Sequence, residues 1–130
     1  MSVQYNFKYK VVIVTGASSG IGKKTAEMFC QAGAKTVFVS KEGAENPHLS
    51  LKCDVSDEEQ VKRMVDRAVS EFGTVDILVN CAAVNQPGKI EDLSLKDWEH
   101  VLKNNLTSQF LCCKYVAPIM KKKKYGKIVN

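Results

Sequence analysis

Short runs of consecutive apolar residues recur along the chain. They predict β-strands at Val11–Thr15, Thr36–Ser40, Leu51–Val55 and Val75–Asn80, and Ile128–Val129 begins a fifth. The runs are continuous rather than alternating, and β-branched side chains are common in them. A strand that is apolar on both sides is covered on both faces, as strands of a parallel sheet are.

Between these runs the apolar positions take helical spacing. The clearest helix is predicted from Asp57 to about Phe72, with one apolar stripe formed by Val61, Met64, Val65, Ala68, Val69 and Phe72. Ser56 and Glu59 have the spacing of a capping box, and Gly73 is placed to end the helix. Another helix is predicted at Ile21–Gln31, directly after a cluster of glycines.

A further helix is predicted to start near Ser94, because Ser94 and Asp97 repeat the capping pattern. Pro118 is expected to kink or weaken its last turns. Its inward face is expected to hold Trp98, Val101, Leu102, Phe110 and Val116. Strands that alternate with helices in this way predict an α/β fold, a doubly wound parallel sheet of about five strands in a single domain spanning residues 1–130.

One connection does not fit the regular form of that fold. Only Lys41–His48 lie between Ser40, at the end of the second strand, and Leu49, and a helical crossover between parallel strands needs at least about 10–12 residues. A plain loop is therefore expected, which leaves the sheet incomplete on one face. The sequence offers no stabilising reason for the shortening, which fits either a natural deletion or a missing piece.

The turn after the first strand carries the first candidate chemistry. In Thr15–Gly22 the glycines Gly16, Gly20 and Gly22 follow the pattern G-x-x-x-G-x-G. Such a turn lets the backbone approach a pyrophosphate at a helix N-terminus, and Ser18 and Ser19 could add hydroxyl hydrogen bonds. The alternative is an ordinary glycine-rich turn, but the position after a buried strand favours nucleotide binding.

Composition narrows the class of protein. The 130 residues are 45% apolar and 25% charged, which is typical of a globular domain. The net charge is +5, and four of the positive charges are the single run Lys121–Lys124, which predicts solvated lysines at a helix end rather than a nucleic-acid surface. No apolar run is long enough to cross a membrane, and the N-terminus lacks the apolar run of a signal peptide.

The cysteines bear on the cellular compartment of the protein. There are five, an odd number, with no C-x-x-C pair. Buried free thiols of a cytoplasmic protein explain them better than a disulfide framework or a metal site. No metal is therefore expected.

Four ordered motifs make the chain resemble the short-chain dehydrogenase/reductase family. They are TGASSGIG at 15–22, CDVSD at 53–57, NCAA at 80–83 and the NNL within KNNLTSQF at 103–110. The resemblance implies a Rossmann-like, NAD(P)-binding domain of an oxidoreductase that acts on alcohols or ketones. It also implies that the glycine turn, with Ile21 among its residues, binds the cofactor.

The end of the second strand bears on the choice of cofactor. In a dinucleotide fold a carboxylate there binds the ribose 2′-OH of NAD, whereas a cation accommodates the 2′-phosphate of NADP. The position reads Ser40-Lys41, without a carboxylate, and therefore favours NADP(H) over NAD. Glu42 weakens this argument, and the alternative is that Lys41 is a solvated loop lysine.

The resemblance assigns further cofactor contacts. It implies that Asp54 contacts the adenine with Val55 packed beside the ring, although Asp54 could instead simply start the loop before the helix. It places Asn80 by the cofactor ribose, and Ala82 and Ala83 against the cofactor. The sequence departs from the family's NNAG pattern at Cys81 and Ala83, which makes contact there less firm.

Asn105 is the most informative polar residue of the helical region. Its spacing from Trp98, Val101 and Leu102 predicts that it lies on the inward face, and a buried amide needs hydrogen-bond partners. The resemblance implies that it holds a water linking a catalytic lysine to a proton relay. The alternative is a satisfied core asparagine, and Asn104 is expected to face solvent.

The remaining catalytic residues implied by the resemblance are not in the printed sequence. Family enzymes use a serine after the fifth strand and a Y-x-x-x-K pair, and this sequence contains neither. We therefore expect a domain truncated before those residues that does not turn over as printed, because losing the general acid/base alone costs about 10²–10⁴ in rate. Whether the chain is itself an enzyme stays open at this point.

Three interpretations fit. The first is the N-terminal part of an NADP(H)-dependent oxidoreductase. The second is a shortened, non-catalytic protein that binds a nucleotide or a protein partner; its helix from Ser94 resembles the one that the family uses in dimer packing, which implies association with a full-length relative. A homo-oligomer is a further alternative. The third is an unproductive form that folds poorly. Neither nucleic acid nor a membrane is expected as a partner.

Overall fold

Five parallel strands form one sheet in the computed structural model, which describes residues 4–43 and 48–130. The strands are β1 (Val11–Thr15), β2 (Lys35–Ser40), β3 (Leu49–Lys52), β4 (Ile77–Asn80) and β5 (Lys127–Val129), in the order β3-β2-β1-β4-β5. The helices are α1 (Gly20–Gln31), α2 (Glu58–Phe72), α3 (Leu95–Leu102) and α4 (Ser108–Lys123), with a 3₁₀ turn at Ile90–Asp92 and a π-helical turn at Lys103–Thr107. The predicted Rossmann-like α/β fold is confirmed.

The central strand β1 is buried on both faces, as its continuous apolar run predicts. Ile13 packs with Leu78 in the cluster that contacts α2 and α4, whereas Val12 and Val14 pack in the cluster that includes Ala26 of α1. Because successive side chains of a strand point to opposite faces, a five-residue apolar run supplies both halves of the core. The centre of the sheet is therefore covered on both sides.

Helix α2 confirms the predicted stripe and its end but not its cap. Val61, Met64, Val65 and Ala68 are buried, and Gly73 ends the helix with φ +83°. The cap is Asp57, whose carboxylate accepts from the Gln60 N–H at 2.9 Å. The predicted cap, Ser56, instead donates its hydroxyl to Asp54 Oδ1 at 2.7 Å.

Two strands differ from their predicted bounds by more than one residue. The third was predicted at Leu51–Val55, but β3 pairs with β2 only over Leu49–Lys52, and the buried Cys53 and Val55 continue into the following loop. The fourth was predicted from Val75, but the ladder with β1 begins at Ile77. In both cases burial continues where strand pairing does not, and an apolar run reports only burial.

Residues 41–48 join β2 to β3, and these strands are parallel, with Val37 opposite Leu49. Within the described part of this connection, residues 41–43 and 48, there is no helix. The rest of the connection, residues 44–47, lies outside the described residues. The expectation of a plain loop is met where the structure describes it.

The predicted inward face of the helix from Ser94 is wrong. Trp98 is 52% exposed and Phe110 60% exposed, Leu102 is also exposed, and of the predicted set Val116 is fully buried. Helical spacing groups residues onto one face but does not decide which face packs on the sheet, and here the buried face carries Asn104, Ser108, Leu111, Cys112 and Val116. Pro118 lies inside α4, which continues to Lys123.

An ion pair between a buried carboxylate and an exposed lysine lies at the end of the sheet opposite the strand carboxyl termini. Asp76 is 1% exposed, accepts from the Val11 N–H at 2.8 Å, and pairs with Lys123 in the last turn of α4. Lys121–Lys123 thus lie at the helix C-terminus, where cations are favoured. Among the described residues, no helix has the length and apolar character needed to cross a membrane, and no cluster has the composition of a metal site.

Candidate functional site

A cavity of about 490 Å³ opens at the carboxyl edge of the sheet. Most of the predicted cofactor residues line it: Gly16, Ser18, Ser19, Gly20, Ile21, Gly22, Ser40, Lys41, Val55, Ala82 and Ala83. Asp54, Asn80 and Asn105 lie beside it rather than in its lining. The sequence interpretation did not assign Val39, Glu42, Cys53, Cys81, Val84 and Asn104, which also line it.

The glycine turn leads directly from β1 into α1. Gly16 has φ +66°, and a Cβ there would lie 2.8 Å from the Ala82 nitrogen. At Gly22 a Cβ would lie 2.2 Å from the Gly16 carbonyl oxygen. Both positions therefore require glycine because backbone packs on backbone, and the packing leaves the start of α1 open toward the cavity.

Thr15, which the sequence analysis did not single out, fixes the backbone on the side of the cavity that faces the glycine turn. Its buried Oγ1 accepts hydrogen bonds from the N–H groups of Cys81 and Ala82, both at 3.1 Å. These bonds tie the end of β1 to the turn after β4, the backbone that Gly16 approaches. The position of Thr15, at the end of a buried apolar run and next to a glycine turn, is the sequence signal that could have identified it.

A second group lies at the ends of β2 and β3. Lys41 Nζ donates to Asn104 Oδ1 at 3.0 Å and lies 3.5 Å from Asp54 Oδ2. Partial burial acts to raise the pKa of Asp54, but hydrogen bonds from Ser56 and the Lys41 ammonium outweigh it and lower that pKa. The carboxylate is therefore held ionised, and Lys41 is not a freely solvated lysine.

The prediction that Asn104 faces solvent is wrong. Asn104 is 6% exposed, and its amide nitrogen donates to the His100 carbonyl at 2.9 Å. Asn104 lies in the π-helical turn, four residues before the buried Ser108 and seven before the buried Leu111, and so belongs to the buried face of this helical segment. Such turns are common at functional sites.

Asn105 holds the segment that follows β4. Its Oδ1 accepts from the Val84 N–H at 2.8 Å, and its Nδ2 donates to the Val84 carbonyl at 2.9 Å. Both ends of the amide are thus satisfied by backbone, which fits the alternative of a structural asparagine. Asn80 donates to Asn130 Oδ1 at 2.8 Å and so links the ends of β4 and β5.

The thiols near the site are unreactive in character. Burial raises the pKa of Cys53 to about 11 and also raises the pKa of Cys81. A nucleophilic cysteine needs a lowered pKa, so the cavity offers no thiolate at neutral pH. All five cysteines are free. The polar groups that face the cavity are therefore backbone amides, hydroxyls and one cation beside carboxylates, a set suited to binding a phosphate-bearing ligand.

Comparison with known proteins identifies the family. The family profile described as short chain dehydrogenase matches residues 10–130. The chain belongs to the short-chain dehydrogenase family. Members of this family are oxidoreductases that use nicotinamide dinucleotides.

Individual relatives of this short-chain dehydrogenase chain agree. D-threitol dehydrogenase from Mycolicibacterium smegmatis is 39% identical over an alignment of 144 residues, covering 100% of this chain and 55% of the relative. A 3-oxoacyl-[acyl-carrier-protein] reductase FabG from Thermotoga maritima is 35% identical, covering 93% and 54%.

A solved structure agrees as well. Aldohexose dehydrogenase from Thermoplasma acidophilum, in ligand-free form, superposes with a TM-score of 0.90 at 37% identity, covering 95% of this chain and 49% of that one. The chain therefore spans about half the length of the relatives it matches.

Proposed function

We propose that this chain is the dinucleotide-binding half of an NADP(H)-dependent short-chain oxidoreductase of alcohols or ketones. The observation that carries the proposal is the glycine cradle, in which Gly16 and Gly22 pack backbone on backbone and leave the start of α1 facing an open cavity. A helix N-terminus presents unpaired N–H groups and a partial positive charge, which suit a pyrophosphate. The volume of about 490 Å³ is in the range of small-molecule sites.

The order of groups along the cavity supports one orientation of the dinucleotide. The pyrophosphate lies against the turn that carries Ser18 and Ser19. The adenosine extends toward Asp54 and Val55, which follow β3. The nicotinamide half runs past Ala82 and Ala83, after β4 and near Asn80.

The preference for NADP(H) rests on the end of β2. Ser40 leaves the position without a carboxylate, and Lys41 brings a cation into the cavity lining. Titration with NADPH and with NADH, monitored by nucleotide fluorescence, tests both dinucleotide binding and the preference for NADP(H). Absence of saturable binding by either would reject dinucleotide binding, and tighter NADH binding would reject the argument from Lys41 alone.

Turnover is not expected of the printed chain. Hydride transfer to or from a carbonyl carbon requires a group that gives or takes the oxygen-bound proton, and the sequence holds no Y-x-x-x-K. We assign Asn105 a positioning role, since both ends of its amide hold Val84. Oxidation of NADPH with a panel of aldehydes and ketones should stay at the uncatalysed rate.

An exposed apolar row supports a second candidate function, association with another copy of the chain. The row runs along α3, the π-helical turn and α4, at three- and four-residue spacing: Leu95, Trp98, Leu102, Leu106 and Phe110. Contiguous exposed apolar surface of this kind is typical of protein interfaces. Sedimentation velocity should show a dimer that Phe110→Glu disrupts, and a monomer at all concentrations would reject this candidate.

A further inference from the structure

Lys41 is held between two side chains that belong to distant parts of the chain. Its ammonium donates to Asn104 Oδ1 at 3.0 Å and lies 3.5 Å from Asp54 Oδ2. One partner follows β3 and the other lies in the π-helical turn before α4. The lysine is therefore fixed in the cavity wall by contacts that the sequence order does not suggest.

The orientation of Asn104 is set by its other contact. The His100 carbonyl can only accept a hydrogen bond, so the Asn104 amide nitrogen must face it and the amide oxygen must face Lys41. Asp54 is constrained in the same way, because its Oδ1 already accepts from the N–H and hydroxyl of Ser56, which leaves Oδ2 for the lysine. Both acceptors are thus in place before any ligand binds.

The neighbouring acidic side chain points elsewhere. Glu42 follows Lys41 directly, yet its carboxylate accepts from Ser18 Oγ at 3.4 Å, on the side of the glycine turn. The Lys41 ammonium and the Glu42 carboxylate thus have different partners. An ammonium has three N–H donors, and with two directed at Asn104 and Asp54 the third is left for a ligand.

We propose that Asn104 is a specificity-determining positioning residue, which holds Lys41 so that the cavity selects a dinucleotide bearing a 2′-phosphate. The inference rests on the proposed function. Fixing a long side chain in advance removes the loss of rotamer freedom that a solvated lysine would suffer on binding the phosphate. The gain falls on NADPH and not on NADH, which has only a hydroxyl at that position.

The test compares dissociation constants of NADPH and NADH for the protein and for Asn104→Ala. We expect the NADPH/NADH preference to fall roughly three- to tenfold, the effect of one hydrogen bond, with NADH affinity unchanged. Lys103→Ala is the matched control, because it removes an exposed charge from the same π-helical turn without touching Lys41, and it should keep the preference. In a Lys41→Met background, Asn104→Ala should have no further effect on the preference.

Other outcomes overturn the inference in separate ways. An equal loss of affinity for both nucleotides would mean that Asn104 supports the fold alone. Tighter binding of both would mean that the Lys41 contact blocks the cavity. Equal affinities in the unmodified protein would reject any discrimination by Lys41 while leaving dinucleotide binding intact, and absence of all binding would reject the proposed function itself.

Discussion

Replacing Gly22 by alanine tests the cradle on which the proposed function depends. The new Cβ would lie 2.2 Å from the Gly16 carbonyl oxygen, which is about 1 Å short of ordinary van der Waals contact. Both sides of the clash are backbone, so neither can give way by changing a rotamer, and the glycine turn must move off α1. Overpacking of this kind costs about 1–3 kcal/mol, which for a chain of this size lowers Tm by roughly 5–15 °C.

The same substitution should weaken dinucleotide binding as well as folding. Moving the turn misaligns the amides that we assign to the pyrophosphate, and each charge-assisted hydrogen bond lost costs about 1.5–3 kcal/mol. The Kd for NADPH should therefore rise roughly 10- to 100-fold even if one such bond is lost. Calorimetric titration well below the measured Tm, with circular dichroism to verify the fold, provides the measurement.

Gly73→Ala is the matched control for strain. Gly73 has φ +83° and open space around it, so alanine there costs only the left-handed conformation, about 1–2 kcal/mol, at the end of α2 and away from the cavity. Stability should fall by an amount comparable to that in Gly22→Ala while dinucleotide binding is kept. If Gly22→Ala binds NADPH as tightly as Gly73→Ala does, the cradle is not the pyrophosphate site.

Three further predictions concern stability and reactivity. Asp76→Ala should lower the free energy of unfolding by about 1–3 kcal/mol in urea titrations, because it leaves the buried N–H of Val11 without its acceptor and removes the partner of Lys123. The pKa of Asp54 is lowered in the folded state, so the stabilisation that its carboxylate provides is full at neutral pH and is lost as the pH falls through that lowered pKa. The difference in free energy of unfolding between the protein and Asp54→Asn should therefore shrink on acidification. Burial raises the pKa of Cys112 to about 12, so iodoacetamide at pH 7.5 should modify it only after unfolding.

Each of these predictions has a defined failure. Glu71→Ala breaks the exposed ion pair with Arg67 and should cost under about 1 kcal/mol, so an equal cost for Asp76→Ala would show that burial adds nothing. A stability difference for Asp54→Asn that grows toward acid would reverse the sign of the linkage. Rapid labelling of Cys112 in the native protein, located by mass spectrometry, would contradict its burial.

Tertiary structure, and not helical periodicity, decided which face of α3 and α4 is buried. Trp98 and Phe110 share one helical face, as their spacing predicts, yet that face is exposed. Asn104 lies on the other face with the buried Ser108 and Leu111, and there it contacts Lys41. Helical spacing groups residues onto a face, but which face is buried depends on how the helix packs against the sheet.

The sequence by itself determined the order of strands and helices, the parallel sheet and the place of the glycine turn. These features depend on local properties: continuous apolar runs, a helical stripe with its end signal, and glycines placed between a strand and a helix. The contacts of Asp76 with Lys123, of Thr15 with Cys81 and of Lys41 with Asn104 were decided only by the fold, because each joins residues more than 45 positions apart. Which polar groups meet across such distances depends on how the elements pack, and that information does not lie in any single segment.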